Sequence, residues 1–305
     1  MSGLIVKSSG SAYGVLLEDG RTVEAHVKGN FRIKGIRSTN PVAVGDRVVV
    51  DQLADGTNWI TDICDRRNYI IRRATNLSKQ SHILAANVDQ VALIVTVNHP
   101  KTSTTFIDRF LATCEAYRVP AALIVNKIDL YDEDDRAELE YIRLLYKQIG
   151  YPVYCISARH LGHELDELLT GKTTLLSGNS GVGKSTLLNA LFGEEKTRTA
   201  NISDAHDQGM HTTTFSEMYF LSPTTAIIDT PGIKGFGTFD MQREEVGHYF
   251  KEIFRIASKC RFGNCTHTNE PDCAVRAAVE DAVIAPSRYE SYLSLLGDCT
   301  EGKYR

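Results

Sequence analysis

The chain has 305 residues, 42% hydrophobic and 24% charged, with a formal net charge of −4; this is globular composition with length for two or three domains, and it excludes a disordered chain. The apolar run near the N-terminus, Leu4 to Val6, is too short for a signal-peptide core and no later run approaches a membrane span, so a soluble cytoplasmic protein with no membrane partner is expected. Seven cysteines, an odd number with Cys64, Cys114 and Cys155 scattered through apolar or helical contexts, exclude a secreted disulfide framework.

In chain order, residues 4–64 read as five short strands, LIVK, YGVLLED, TVEAHVKG, DRVVVDQL and NWITDIC. Asp19-Gly20 predicts a two-residue hairpin with positive φ at both central positions. Five strands in this length predict an OB-type β-barrel, with a five-stranded barrel of another type as the alternative. Residues 1–80 hold twelve Lys/Arg against eight Asp/Glu, and the run RRNYIIRRATNLSK, Arg66 to Lys79, concentrates that excess around Tyr69. Such a run suits nucleic-acid backbone and equally a solvated linker.

From residue 83 the grammar becomes that of an α/β domain: QVALIVTV (90–97), AALIV (121–125), PVYCIS (152–157), TTLLSG (173–178) and TAIID (225–229) suit parallel strands buried on both faces. Leu161, Leu165, Leu168 and Leu169 predict a helix lying on that sheet. Beyond residue 239 the pattern is helical, with Val246, Phe250, Ile253 and Phe254 on one stripe. Ser287-Arg-Tyr-Glu290 has the form of a capping box opening a last helix with Tyr292, Leu293 and Leu296. The expected organisation is a barrel over 1–68, an α/β domain over 69–238 entered through a basic linker at 66–82, and a small helical domain over 239–305.

The stretch GNSGVGKST, Gly178, Asn179, Ser180, Gly181, Val182, Gly183, Lys184, Ser185 and Thr186, satisfies the Walker A pattern between a strand and a helix. Its glycines let backbone N–H groups turn inward around phosphate oxygens at a helix N-terminus. Lys184 would neutralise the β/γ-phosphates and Ser185 would ligate Mg²⁺. Asn126-Lys127-Ile-Asp129 after the strand AALIV supplies base choice. A carboxylate at Asp129 accepts from both N1–H and the 2-amine of guanine, whereas adenine leaves it half unpaired. Ser157-Ala158 after PVYCIS matches the backbone contact that backs the guanine. Asp229-Thr-Pro-Gly232 follows TAIID: Asp229 would hold Mg²⁺ and Gly232 would offer its amide to the γ-phosphate. In His211-Thr-Thr-Thr214, Thr213 is the choice for the Mg²⁺-contacting threonine, with Thr212 and a plain Thr-rich turn as alternatives.

The phosphate loop here follows the base loop, the reverse of the usual order. In a doubly wound sheet the ligand sits at the carboxyl ends of the strands whatever their order in the chain, so the motifs predict a circularly permuted GTPase binding GTP and GDP with Mg²⁺. The segment after Gly232 then leads straight into the tail, which predicts that nucleotide state repositions the tail relative to the barrel. Where Ras-like enzymes place a water-orienting Gln, this chain has Ile233. His211, beside the switch threonines, is the catalytic candidate, against the alternative of a solvated loop histidine. Slow intrinsic turnover accelerated by a partner is expected.

Cys260-x4-Cys265-x-His267-x5-Cys273 offers three thiolates and an imidazole within fourteen residues. That donor set predicts one structural Zn²⁺ with no open position; reduced, unligated cysteines are the alternative.

Barrel, permuted GTPase with NKID ahead of the phosphate loop, HTTT, DTPG and the Cys/His tail together resemble the ribosome small-subunit-dependent GTPase A family of bacteria, over nearly the whole chain. The resemblance implies an OB barrel contacting ribosomal RNA, a zinc domain docking on the small ribosomal subunit, and GTP hydrolysis stimulated by that subunit. It also implies a role in late maturation with release of an assembly factor. His211 matches the histidine given a catalytic role in that family and Ile233 its hydrophobic replacement for Gln, while Met210 departs from the basic residue common before that histidine. A monomer is expected. A GTPase timer acting on a protein or another RNA, and a non-catalytic RNA-binding adaptor, are the competing function classes.

Overall fold

A computed structural model describes residues 1–9, 12–27, 41–73, 81–193, 216–230 and 241–301. Strands β1 (Ser2–Ser8), β2 (Tyr13–Leu17), β3 (Thr22–Val27), β4 (Arg47–Gln52) and β5 (Asn58–Ile63) close into a barrel of order β1-β2-β3-β5-β4-β1. β3 and β5 pair in parallel and the other neighbours antiparallel, the Greek-key arrangement of an OB barrel. Ile5, Val15, Ala25, Val48, Val50 and Ile60 point inward and are buried, as the period of two requires.

The hairpin differs from the two-residue expectation. Leu17 N donates to Arg21 O at 2.8 Å around a three-residue turn, and of its residues only Gly20 has positive φ. Arg21 N donates to Asp19 Oδ1 at 3.0 Å, an Asx-type contact that holds Asp19 on the ordinary side of φ.

The basic run is also different from its sequence reading. Tyr69–Arg73 (β6) and Ser81–Ala86 (β7) pair as a two-stranded antiparallel sheet. Arg66 is not available to nucleic acid: it donates to both carboxylate oxygens of buried Asp46, at 2.7 and 2.6 Å, and to Pro41 O at 2.7 Å. Arg67 meets Asp89 at 2.8 Å and Asn87 O at 3.1 Å. Arg66 thus fastens the start of the linker to the barrel, and Arg67 ties it to the domain that follows.

That domain holds β8 (Gln90–Val95), β9 (Ala121–Val125), β10 (Val153–Cys155), β11 (Thr173–Gly178), β12 (Glu217–Ser222) and β13 (Thr225–Asp229). Five strands run parallel in the order β10-β9-β8-β11-β13, and β12, whose sequence EMYFLS lacks the alternation of a half-buried strand, adds an antiparallel edge. The sheet continues into the barrel: β12 pairs with β1 at Lys7 and Glu217, Ser8 N donates to Ser216 O at 3.1 Å, and one eleven-stranded sheet results.

Helices α1 (Thr104–Ala116), α2 (Glu133–Ile149), α3 (Asp166–Leu169) and α4 (Lys184–Phe192) connect these strands. α3 is shorter than its leucine spacing suggested. Gly162 N donates to Glu164 Oε2 at 2.7 Å and His163 meets Asp166 at 2.8 Å, local bonds that hold an irregular turn and leave Leu161 outside the helix. The join between β10 and β11 passes two strands, and buried Gln90 secures it by donating to Leu168 O at 2.6 Å and Thr174 Oγ1 at 2.9 Å.

The tail contains a 3₁₀ segment, Arg243–Tyr249, then α5 (Lys251–Ala257), α6 (Ala274–Glu280) and α7 (Pro286–Glu301). Val246, Phe250 and Ile253 are buried, but Phe254 faces solvent with its ring 5.2 Å from that of His248. α7 opens at Pro286, whose fixed φ and missing N–H suit a first helical position, so Ser287 lies inside the first turn and its hydroxyl meets Tyr141 Oη at 3.0 Å. The tail packs on α1 around Arg288, which is 1% exposed and donates to Asp108 at 2.7 Å and to Glu252 at 2.6 and 3.1 Å. Tyr146 adds a hydrogen bond to Asp108 at 2.6 Å. A tail that moves with nucleotide state must therefore carry α1 with it or break this buried cluster.

Candidate functional site

β8 leads away to β9 and β10 on one side, while β11 leads to β13 on the other. The carboxyl ends of β8 and β11 thus frame the crevice where doubly wound sheets bind ligands. Gly178 closes β11 with φ 157°, and a Cβ there would stand 2.5 Å from Ile94 O. Gly183, with φ 98°, opens α4, and a Cβ there would stand 2.4 Å from Asn126 Nδ2. Only glycine permits these approaches, so the phosphate loop is shaped by backbone contact with its neighbours.

Asn126 is buried and binds the other two loops at once. Its Nδ2 donates to Val182 O at 2.9 Å and its Oδ1 accepts from Ala158 N at 2.9 Å. Lys127 Nζ donates to Gly181 O at 2.7 Å and His99 O at 2.5 Å, drawing in the loop after β8. Tyr131 supports the arrangement from below, donating to Asn126 O at 2.6 Å and accepting from Val97 N at 2.9 Å. Tyr131 and His99 carry no motif signal; their roles depend on where β8 and β9 end together.

Asp129 is exposed at the crevice, and the Ser157 hydroxyl beside it is the main reason its carboxyl lies below the usual carboxylate range. It is ionised at neutral pH, as an acceptor for guanine must be. Lys184 Nζ donates to Gly178 O at 2.7 Å and Asn179 O at 3.1 Å. Burial lowers the Lys184 pKa and the nearby Asp229 charge opposes that effect. Asp229 ends β13 almost wholly buried, and its Oδ1 has no hydrogen-bond partner among the described residues. Burial pushes its carboxyl up to about 6 despite Lys184. A buried carboxylate oxygen left unpaired beside the phosphate loop fits a Mg²⁺ role, the cation or its water supplying the missing partner. Ser180, Ser185 and Thr186 are exposed on the loop and the first turn of α4. Met210, His211, Thr212, Thr213, Gly232 and Ile233 lie outside the described residues.

A second cluster lies in the tail. The ligand atoms of Cys260, Cys265, His267 and Cys273 all fall within 4.8 Å of one another. His267 Nδ1 is 3.6 Å from Cys260 Sγ and 3.5 Å from Cys273 Sγ, and those two sulfurs are 4.0 Å apart. Around a tetrahedral zinc with ordinary bond lengths the ligand separations are about 3.5 to 3.8 Å; the two His267 contacts match that range, and three thiolates with one imidazole are the donor set of a structural zinc site. Burial lowers the His267 pKa, which favours the neutral imidazole that a metal requires. Glu270 arranges the intervening loop, accepting from Thr266 N at 2.7 Å, Thr266 Oγ1 at 2.6 Å and Thr268 N at 2.9 Å; burial would raise its carboxyl, but these bonds hold it at about 2.

With this geometry in view, the family model described as RsgA GTPase matches residues 63–239, and the RsgA N-terminal domain model matches residues 2–60. The chain is 62% identical over 307 residues to the Small ribosomal subunit biogenesis GTPase RsgA of Phocaeicola vulgatus, covering 100% of this chain and 99% of the relative. It is 61% identical to the protein of that name in Bacteroides fragilis, with the same coverage. Among solved structures it resembles YjeQ from Thermotoga maritima, at a TM-score of 0.76 and 34% identity over 98% of each chain. It also resembles YloQ, described as a circularly permuted GTPase, at 0.70 and 30% over 100% of this chain and 96% of that one.

Proposed function

The chain belongs to the RsgA GTPase family and is a GTP hydrolase, and from that premise we propose that it acts on the small ribosomal subunit, which stimulates its turnover during late maturation. It is a GTPase of small-subunit biogenesis; the finer reading is that hydrolysis to GDP and phosphate is coupled to its own release or to that of an assembly factor. The protein works in the cytoplasm as a monomer.

One observation carries the nucleotide reading: Asn126 hydrogen-bonds at once to the phosphate loop through Val182 O and to the base-backing loop through Ala158 N. Loops that the gene writes in rotated order therefore meet as one site. Asp129 selects guanine, and Ser157 and Ala158 back the base. Gly178 to Thr186 wrap the phosphates, with Lys184 freed from the carbonyls of Gly178 and Asn179 to neutralise them. Ser185, Thr213 and Asp229 would hold Mg²⁺, which supplies charge stabilisation to the phosphates when bound. Gly232 offers its amide to the γ-phosphate and His211 orients the attacking water, since Ile233 has no hydrogen-bonding side chain. Cys260, Cys265, His267 and Cys273 would hold one structural Zn²⁺ that fixes the tail for docking on the subunit and its ribosomal RNA.

GTP turnover of the native chain and of His211→Ala, with and without purified small subunits, tests this. The native chain should be strongly stimulated and the variant should lose most of that gain. A native chain indifferent to subunits would overturn the partner, and equal stimulation of both would remove His211 from the mechanism.

A further inference from the structure

Helix α2 carries two apolar faces. Ile142, Tyr146 and Ile149 are buried, as a helix covering a sheet requires. Tyr141, Leu144, Leu145 and Gln148 repeat at i, i+3, i+4 and i+7 on a neighbouring face. This second stripe borders a groove of about 480 Å³ whose far wall is the tail, formed by Ile256 of α5 and by residues 282–285 between α6 and α7. Tyr141 is 47% exposed, Leu144 54% and Val283 61%. A single exposed apolar residue is ordinary; three around one concavity mark a contact surface.

The charges around the groove bear on its occupant. Of the three charged side chains lining it, Glu252 and Arg288 are bound to each other. That leaves Arg255, which is exposed and has no ion-pair partner among the described residues. Lys147, exposed one turn beyond Leu144, does not line the groove, and Glu140 is taken by Arg143. Asp281, beside Ala282, does not line the groove. An apolar lining with the single unpaired cation Arg255 offers little to RNA, whose phosphates would gain nothing from Leu144, Leu145, Ile256 and Val283.

Other occupants fit poorly. A stable dimer buries about 1,200 to 2,000 Å² in all, whereas the exposed large apolar side chains around this groove are three, Tyr141, Leu144 and Val283.

We propose that the groove between α2 and the tail is a docking site for an amphipathic helix of a protein partner, which seats one or two apolar anchors on Leu144 and Val283 and places a carboxylate against Arg255. The inference rests on the proposed function only for where the partner is met, on the small-subunit particle.

The test replaces Val283 with a photo-crosslinking benzophenone amino acid, irradiates the full chain on assembling small-subunit particles with a non-hydrolysable GTP analogue, and measures subunit-stimulated GTP turnover on a parallel sample. The expected adduct is to a protein segment with Asp or Glu beside apolar residues. Its yield should fall about tenfold in Leu144→Asp or Arg255→Glu, as for loss of one interface anchor, with intrinsic turnover and thermal midpoint unchanged. Adducts confined to ribosomal RNA, to a second copy or to this chain's own residues, or no adduct at all, overturn the docking site. Stimulated turnover without a protein adduct removes the groove alone; a protein adduct without stimulation removes the subunit-stimulated reading and leaves the groove.

Discussion

Asp108 and Asp229 are both buried carboxylates, and the molecule treats them differently. Asp108, at the joint with the tail, accepts from Arg288 and Tyr146 on a single oxygen and has a guanidinium in direct contact. Among the described residues Asp229, at the nucleotide site, keeps Oδ1 without a hydrogen bond, as Asp108 keeps Oδ2, but the cation that acts on its charge, Lys184, is engaged with loop carbonyls. Burial raises the energy of a carboxylate in both places, but among the described residues only Asp108 of the two has a direct ionic partner. The first carboxylate is built for holding domains together. The second waits for a ligand, so it should cost stability until one arrives.

Substitutions should separate the two. Arg288→Ala leaves Asp108 and Glu252 buried without their cation and should cost about 3 to 5 kcal/mol, read by urea unfolding; a loss below 1 kcal/mol would mean the joint is held by packing alone.

Asp229→Asn should act in the opposite direction. The folded chain holds this proton more tightly than the unfolded chain does, with a pKa of about 6 against the usual 3.8. That contribution to stability is present in acid and is lost as pH rises from about 4 through 6, a difference of about 3 kcal/mol. The nucleotide-free Asn variant should therefore be the more stable protein at pH 7.5, with the gap closing below about pH 4, while Mg²⁺-dependent turnover is lost. A variant less stable at both pH values would place a hidden partner on Asp229.

The barrel joint gives smaller effects and calibrates the comparison. Arg66→Ala removes a two-pronged contact to buried Asp46 and should cost about 1.5 to 3 kcal/mol in the same unfolding assay. Lys7→Ala removes a half-exposed pair with Glu217 at 3.5 Å and should cost less than about 1 kcal/mol, because the strand pairing that fuses barrel and core is made by backbone. A large Lys7 effect would show that the sheet junction depends on its side chains.

The same contrast explains what the sequence could and could not reveal. The Walker glycines, Asp129, Asp229 and the Cys/His spacing were legible because each is a residue type that its chemistry demands at a fixed offset from a strand or from its partners. Arg66 looked like a nucleic-acid contact or a solvated linker residue and Arg288 like the second residue of a capping box, because nothing local tells a buried arginine from a solvated one. Their partners lie 20 and 180 residues away, at Asp46 and Asp108. The edge strand Glu217–Ser222 was missed for a related reason: its residues alternate weakly, and it is held by pairing to β13 on one side and to the first strand of the chain on the other. Leu161 kept helical spacing with its neighbours but fell in a turn stabilised by Glu164 and Asp166, a competition that periodicity does not register.

Base selection by Asp129 is where the rotated loops either form a guanine site or do not, and competition between GTP and xanthosine triphosphate measures it directly. Guanine presents two donors to a carboxylate, whereas xanthine presents one donor and one carbonyl and so matches an amide. The native chain should strongly prefer GTP and Asp129→Asn should reverse that preference. An Asn variant that keeps the native preference for GTP would contradict the account at its base.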